Sequence, residues 1–388
     1  MSSRFIPYGH HSLGADDIQA VLEVLKSDWL TQGPMVQKFE EAFAAYCGAR
    51  YAVAVSSGTA ALHLAALAAG FTPGDEVITS PITFVASANC VAYVGARPVF
   101  ADIDSQTGCI DVREISRRLT PATKGIIPVH FAGQPCAMGA VAVLAREHGL
   151  TMIEDAAHAL GSSYLVDGEE FRTGCCAHSD MTVFSLHPVK HIAAGEGGVI
   201  TTNDENLYQQ LCLLRSHGIT RDVGRMEAND GPWYYEMQAL GFNYRITDFQ
   251  CALALSQLKK LDAFVARRRA IATKYRQAFE SNPSLGLLAE HPDARSSYHL
   301  FVILSLGLDR SGLFRDLRER NIGVNVHYIP VHLQPFYREN YGYRAGDYPL
   351  AEEYYRHAIT IPLYPAMSDN DVDLVIEAVY RCVKALSS

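Results

Sequence analysis

One lysine in this chain stands where an amine could act as a nucleophile. Residues 184–200 read FSLHPVKHIAAGEGGVI, an apolar run that delivers Lys190 into a bend before three glycines in four residues. Glycines permit positive φ and close backbone approach, which an ordinary loop lysine does not need. Apolar surroundings and positive neighbours lower a lysine's pKa and free its amine for Schiff-base formation. Two other stretches carry complementary chemistry. SSGT at 56–59 follows the β-rich YAVAV and precedes an Ala-rich helical stretch. Such a turn aims backbone N–H groups and hydroxyls over a helix N-terminus, a geometry that favours an anion. In IEDAAHALG a strand ends in Glu154 and Asp155, and an acid at the carboxyl end of a parallel strand lies where α/β sheets bind ligands.

Each piece alone has a structural alternative: an N-cap for SSGT, a helix cap for Asp155, a surface position for Lys190. Together they offer a phosphate cradle, an acid to pair with a protonated ring nitrogen and a Schiff-base lysine. Pyridoxal phosphate requires those three groups.

The elements that must position these residues follow an alternating pattern. From Tyr51 onward YAVAV, EVITSP, KGIIPVH and LTMIED alternate with helical stretches such as GTAALHLAALAAG and MGAVAVLAREHG. This is the pattern of right-handed βαβ units and a mostly parallel sheet, with TVFSL and GGVITTN as further strands. Near the N-terminus, Ile18, Val21, Leu22 and Leu25 fall on one helical face after Asp16 and Asp17. A long helical region begins around Thr247 and runs to the SNPS turn, and the domain boundary is expected inside it. The reading is an α/β chain with a large domain at 1–262 and a smaller C-terminal α+β domain at 263–388. The latter holds the strand YHLFVILS, the helix GLFRDLRERN, the extended VNVHYIPVH and a closing helix capped at Ser368.

Composition bounds the function. A chain of 388 residues, 48 % hydrophobic, can bury a sizeable core. A net charge of −9 and a pI near 5.9 oppose sequence-independent binding of nucleic acid. The nine cysteines lack metal-finger spacing and read as small core residues of a reducing, cytoplasmic compartment; no metal site is expected. The uncharged runs at 51–74 and 77–96 are interrupted by SSGT and by Ser80-Pro81, so they read as buried strand-turn-helix units and not as membrane spans.

The stretches LTQGP, SSGTAALHLA, SPITFVASANCV, EDAAHALGS, FSLHPVKHIAAGEGG, RSHGI, GFNYRITDFQCALALSQLKKL and IPLYPAMS resemble the PLP-dependent sugar-nucleotide aminotransferases of fold type I. The likeness runs in order over nearly the whole chain and is greatest to the 4-aminotransferase branch of pseudaminic acid synthesis. It implies a large domain with a mostly parallel central sheet flanked by helices, and a homodimer with shared active sites.

The resemblance also implies roles. Lys190 matches the lysine that holds the cofactor and moves protons on the substrate carbon, and Asp155 matches the acid that keeps the pyridine nitrogen protonated. His158 stands near the ring hydroxyl where many relatives carry Gln. Gly58, Thr59 and Ser185 match the phosphate-binding turn and hydroxyl. Phe84 matches the aromatic that stacks on the cofactor ring, worth roughly 0.5 to 1.5 kcal/mol beyond area burial; a plain core phenylalanine is the alternative. Asn243 matches an asparagine that reaches the phosphate of the neighbouring subunit. His187, His327 and Tyr328 match positions near the sugar nucleotide and amino donor, and Thr31, Gln32 and Gly33 resemble a segment lining the nucleotide side. No arginine is identified for the donor carboxylate.

The implied reaction carries nitrogen from L-glutamate to the C4 ketone of a UDP-linked 4-keto-6-deoxy sugar, UDP-2-acetamido-2,6-dideoxy-β-L-arabino-hex-4-ulose. Alternatives are a D-xylo, GDP- or dTDP-linked 4-keto sugar, a PLP-dependent sugar dehydratase and a non-catalytic paralogue. Dehydratases of this type carry histidine in place of the lysine, and Lys190 is present.

Overall fold

The computed structural model describes residues 4–387. Tyr51–Val55 (β1), Glu76–Thr79 (β2), Arg97–Phe100 (β3), Thr123–Ile127 (β4), Thr151–Asp155 (β5), Met181–Ser185 (β6) and Gly198–Thr202 (β7) form a seven-stranded sheet in the order β1-β7-β6-β5-β4-β2-β3. The pairs β2–β3, β2–β4, β4–β5 and β5–β6 are parallel, whereas β7 is antiparallel to both β1 and β6. Six strands therefore share one direction and β7 alone opposes them. Helices cover the sheet, so strands such as β7 are buried throughout, which is why they read as uncharged runs.

Four helices matter for the site: Ala15–Leu25 (α1), Pro34–Cys47 (α2), Gly58–Ala68 (α3) and Ala86–Tyr93 (α4). The Ala-rich composition of α3 suits its place: Ala61, Leu64, Ala65 and Ala66 are all fully buried, and their small side chains let the helix sit close to the strands. The run at 51–74 thus contains β1 and α3, and the run at 77–96 contains most of β2 and α4. Among the described residues no helix is long and apolar enough to cross a membrane.

The helix expected after Asp16 and Asp17 is α1, and its apolar residues Ile18, Leu22 and Leu25 are exposed while Asp17 is buried. Asp17 is held there by Ser256 Oγ at 2.6 Å, Gln257 Nε2 at 2.7 Å and Lys260 Nζ at 2.7 Å, so buried hydrogen bonds and not apolar periodicity orient the helix. The helical region after Thr247 is two helices, Asp248–Leu258 (α5) and Leu261–Phe279 (α6). The break at Lys259 and Lys260 turns Lys260 back towards the Asp16 and Asp17 carboxylates.

Beyond α6, Leu285–Leu287 (β8), Phe301–Ser305 (β9) and Ala358–Ile361 (β10) make a three-stranded antiparallel sheet in the order β8-β9-β10. The closing helix, Asp369–Leu386 (α7), starts where Ser368 Oγ accepts the Asp371 N–H at 3.1 Å. A second core gathers Tyr275, Phe279, Ile303, Leu313, Ile359 and Val379 between these elements.

Candidate active site

The carboxyl ends of β1, β5 and β6 open onto a cavity of about 580 Å³. Its first wall is the turn from β1 into α3. Ser57 Oγ accepts the Ala60 N–H at 3.1 Å, so this hydroxyl is an N-cap as well as part of the turn. Gly58 and Thr59 line the cavity, where the first N–H groups of α3 lack helical partners. The turn is pressed flat against β7: a Cβ at Gly198 would lie 2.4 Å from the Ser57 carbonyl oxygen and 2.8 Å from Gly58 N. A Cβ at Gly58 would lie 3.0 Å from Ser185 Cβ, so Gly58 leaves the Ser185 hydroxyl room beside the turn. Ser185 Oγ accepts the His187 N–H at 3.3 Å, leaving its own proton to donate.

Asp155 is the last residue of β5. Its Oδ1 accepts the Ala157 N–H at 3.1 Å, as a cap does, and its Oδ2 accepts from Ser87 Oγ at 2.6 Å while the residue lines the cavity. Strand alternation sends Glu154 to the opposite face, where it pairs with His130 Nε2 at 2.7 Å. Burial pushes the Glu154 carboxyl up, but hydrogen bonds from His130, Ser179 and Thr182 outweigh it and hold the group below its usual range.

Lys190 follows β6 in a bend closed by its N–H donating to His187 O at 2.8 Å. It is half-buried and lines the cavity with Asp155. Burial pulls the Lys190 ammonium down to about 8, against the opposing pull of the Asp155 carboxylate. The neutral amine is the attacking species. In the cofactor-free chain, capture of pyridoxal phosphate is therefore expected to accelerate as pH rises through about 8, being about tenfold slower at pH 7 than on the plateau. Stopped-flow absorbance checks this, and a rate still climbing steeply above pH 10 contradicts it.

Buried histidines surround the lysine. Burial first, and then the Lys190 charge, pulls His327 down to about 3 and His158 well below the ordinary range; burial and then neighbouring His158 do the same to His299, so all three are neutral. The hydrogen bonds fix the tautomer of His327. Asn325 Nδ2 donates to His327 Nε2 at 3.4 Å, and His327 Nδ1 donates to Thr360 Oγ1 at 2.8 Å. Burial raises Tyr328 well above the ordinary tyrosine range, so its hydroxyl keeps its proton in the hydrogen bond it shares with His158 Nε2 at 3.0 Å. His158 Nδ1 is buried and has no protein partner. Phe84 is 58 % exposed on the cavity wall, which distinguishes it from a core phenylalanine.

The fold thus brings Gly58, Thr59, Phe84, Asp155, His158, Ser185, His187, Lys190, His327 and Tyr328 to one cavity. It does not bring Thr31, Gln32, Gly33 or Asn243 there. Gln32 and Gly33 line a separate hollow with Arg215 and Arg245, Thr31 pairs with Thr247, and Asn243 is exposed and pairs with Ser216. Sequence reasoning missed Tyr8, Ser87, Glu196, His299 and Asn325 on the cavity wall. Asn325 had a signal: it lies two residues before His327 in an extended segment, so alternation puts both on one side. His299 had none.

These residues fit pyridoxal phosphate. The flat turn at Gly58 and Thr59 with the Ser185 hydroxyl suits the phosphate, Asp155 the ring nitrogen, Lys190 the aldehyde, and the unpartnered Nδ1 of His158 a polar group of the ring. When bound, the cofactor supplies an electrophilic aldehyde and an electron-withdrawing ring.

Residues 11–380 match the DegT/DnrJ/EryC1/StrS aminotransferase family. The chain is 45 % identical over 387 residues to the spore coat polysaccharide biosynthesis protein SpsC of Bacillus subtilis (strain 168), covering 98 % of each. PseC of Helicobacter pylori, an aminotransferase involved in the biosynthesis of pseudoaminic acid, superposes with a TM-score of 0.89 at 32 % identity, over 98 % of this chain and 100 % of that one. The PLP-form of the putative sugar aminotransferase Spr1654 from Streptococcus pneumoniae gives 0.90 at 29 % identity, over 98 % and 99 %. With its lysine, acid and phosphate turn assembled on the fold type I framework, the chain belongs to the DegT/DnrJ/EryC1/StrS family and is a PLP-dependent sugar aminotransferase.

Proposed function

We propose that the protein transfers the amino group of L-glutamate to C4 of UDP-2-acetamido-2,6-dideoxy-β-L-arabino-hex-4-ulose, in pseudaminic acid synthesis. The observation that carries the reading is the placing of Lys190 and Asp155 on one cavity with a neutral His158 between strand end and small-domain loop. Lys190 takes a proton from the donor carbon and returns one to the sugar carbon. Asp155 holds positive charge on the ring nitrogen, and Gly58, Thr59 and Ser185 hold the phosphate. Phe84 covers the ring face; His187, His327 and Tyr328 face the substrates. One lysine serves both half-reactions, so ping-pong kinetics follow. The likeness to PseC supports the substrate.

A second reading, amination of another nucleotide-linked 4-keto sugar, is favoured by the higher identity to a spore coat polysaccharide protein. Mass spectrometry after incubation with glutamate and a panel of UDP-, GDP- and dTDP-4-keto sugars separates the two. The L-arabino UDP sugar is expected to gain the amine with the highest kcat/KM, because misplacing the reacting carbon by about 1 Å costs on the order of a hundredfold. A preference for the D-xylo epimer or another nucleotide overturns the pathway and leaves the chemistry standing.

We further propose a homodimer in which Asn243, Thr31, Gln32 and Gly33 complete the neighbouring subunit's site. Two observations support it. Among the described residues the cavity wall contains no arginine, whereas Arg245 lies with Gln32 and Gly33 in a hollow elsewhere on the chain. Ile18, Leu22, Leu25, Trp29, Trp233, Met237 and Leu240 are exposed apolar side chains that a subunit contact would bury. Mixing inactive Lys190→Ala with Asn243→Ala protein is expected to regenerate sites intact in both respects. Activity that stays at the level of the weaker parent, after confirmed subunit exchange, contradicts sharing.

A further inference from the structure

The Asp155 carboxylate is held by a buried chain of hydroxyls. Ser87 Oγ donates to Asp155 Oδ2 at 2.6 Å and lies 2.6 Å from Thr83 Oγ1. Ser87 is 0 % exposed and Thr83 3 % exposed, so water does not compete for either contact. The direction of the chain follows from valence. A carboxylate only accepts, so the one hydroxyl proton of Ser87 goes to Asp155, and Thr83 must donate to Ser87. The Phe84 carbonyl, 3.3 Å from Ser87 Oγ, is the weaker acceptor because it is neutral and more distant.

The same short segment does a second job. Thr83 lies in the bend before α4 and Ser87 in the first turn of α4, and their hydroxyls meet beside Asp155. Phe84, between them, is turned into the cavity. With Oδ2 fixed by Ser87 and Oδ1 by the Ala157 N–H, the carboxylate has no freedom to rotate.

We propose that Thr83 and Ser87 are positioning residues: an ordered hydroxyl relay that fixes Asp155 so that its unused lone pairs meet the ring nitrogen of pyridoxal phosphate. The inference rests on the Asp155 role proposed above. It assigns to the segment that presents Phe84 a second function, setting the proton position on the ring through Asp155.

The test uses the full chain loaded with pyridoxal phosphate carrying 15N in the ring, and reads the ring-nitrogen chemical shift and the cofactor dissociation constant. Ser87→Ala is expected to move the signal towards that of unprotonated pyridine and to weaken cofactor binding about tenfold, the usual consequence of losing a hydrogen bond to a charged group. Thr83→Val, which preserves shape, is expected to shift the signal in the same direction with about threefold weaker binding. Ser87→Thr keeps the hydroxyl and is expected to stay near the parent in both. If Ser87→Ala does not fold, Thr83→Val carries the test. Parent-like shifts and affinities in the relay variants overturn the proposal. Asp155→Asn distinguishes the two levels: a shift there alone overturns the relay and leaves the Asp155 role standing, whereas no shift in any variant overturns both.

Discussion

Lys190→Ala is expected to abolish amino transfer, lowering the rate by at least about 10⁴-fold while the chain still folds. The residue is asked to do two things, to hold the aldehyde and to move a proton on the substrate carbon, and alanine can do neither. The bend itself survives, since it is closed through the backbone N–H of Lys190 and the His187 carbonyl. Two neighbouring histidines are engaged elsewhere. His191 is turned away, with Nε2 donating to the Ser297 carbonyl at 3.1 Å, and His327 is tied to Thr360 and Asn325. Lys190→Arg is expected to fail equally, because a guanidinium remains protonated at any working pH. Single-turnover measurement of the glutamate half-reaction decides it, and a rate within tenfold of the parent means that another group is the base.

The next largest effect is expected from Asp155→Asn. A neutral amide no longer stabilises positive charge on the ring nitrogen, so the ring withdraws electrons less strongly when the substrate carbon loses its proton. The glutamate half-reaction is expected to slow by about 10²- to 10³-fold, the range found when one preorganised electrostatic contact is removed. Folding is expected to change little, since the asparagine carbonyl can keep the Ala157 N–H while its amide group donates to the Ser87 oxygen, whose own proton turns to the Phe84 carbonyl. A near-parental single-turnover rate would reduce Asp155 to the helix cap that its Oδ1 contact resembles.

Much of this arrangement is legible in the sequence because burial leaves a mark. β1, β2, β4 and β5 are largely enclosed and so read as mostly apolar runs whose few charges are Glu76, Lys124, Glu154 and Asp155, and Ala-rich α3 is apolar enough to betray its packing. Direction leaves no such mark. β7 reads like its parallel neighbours, and only the short connection from β6 to β7, which carries Lys190 and the glycines, hints at its antiparallel course. The hairpin of Ser163–Val166 and Glu169–Arg172 did have a signal, the Asp167-Gly168 pair whose positive φ angles make the tight turn. The broken helix at Lys259 and Lys260 had none, because the break serves an ion pair with residues more than two hundred positions away.

The site divides in the same way. Lys190, Asp155 and the Gly58 turn were readable because each lies at or shortly after the carboxyl end of a strand of the sheet, where position alone implies exposure to a ligand. Tyr8, His299 and Asn325 reach the cavity from segments whose meeting is decided by tertiary packing, such as the Leu363 N–H donating to the Tyr8 carbonyl at 3.1 Å. No local pattern encodes that contact. Exposure of the α1 face at Ile18 and Leu22 shows the converse, a regular apolar period that does not face the chain's own core.

The most direct test of the central claim is chemical. The cofactor-loaded protein is reduced with borohydride, digested and mapped by mass spectrometry. A pyridoxyl label on the peptide containing Lys190, and its absence from Lys190→Ala protein, is the predicted result. A label on any other lysine, or none with the cofactor bound, would contradict the assignment of Lys190 as the anchor on which the whole account of the site depends.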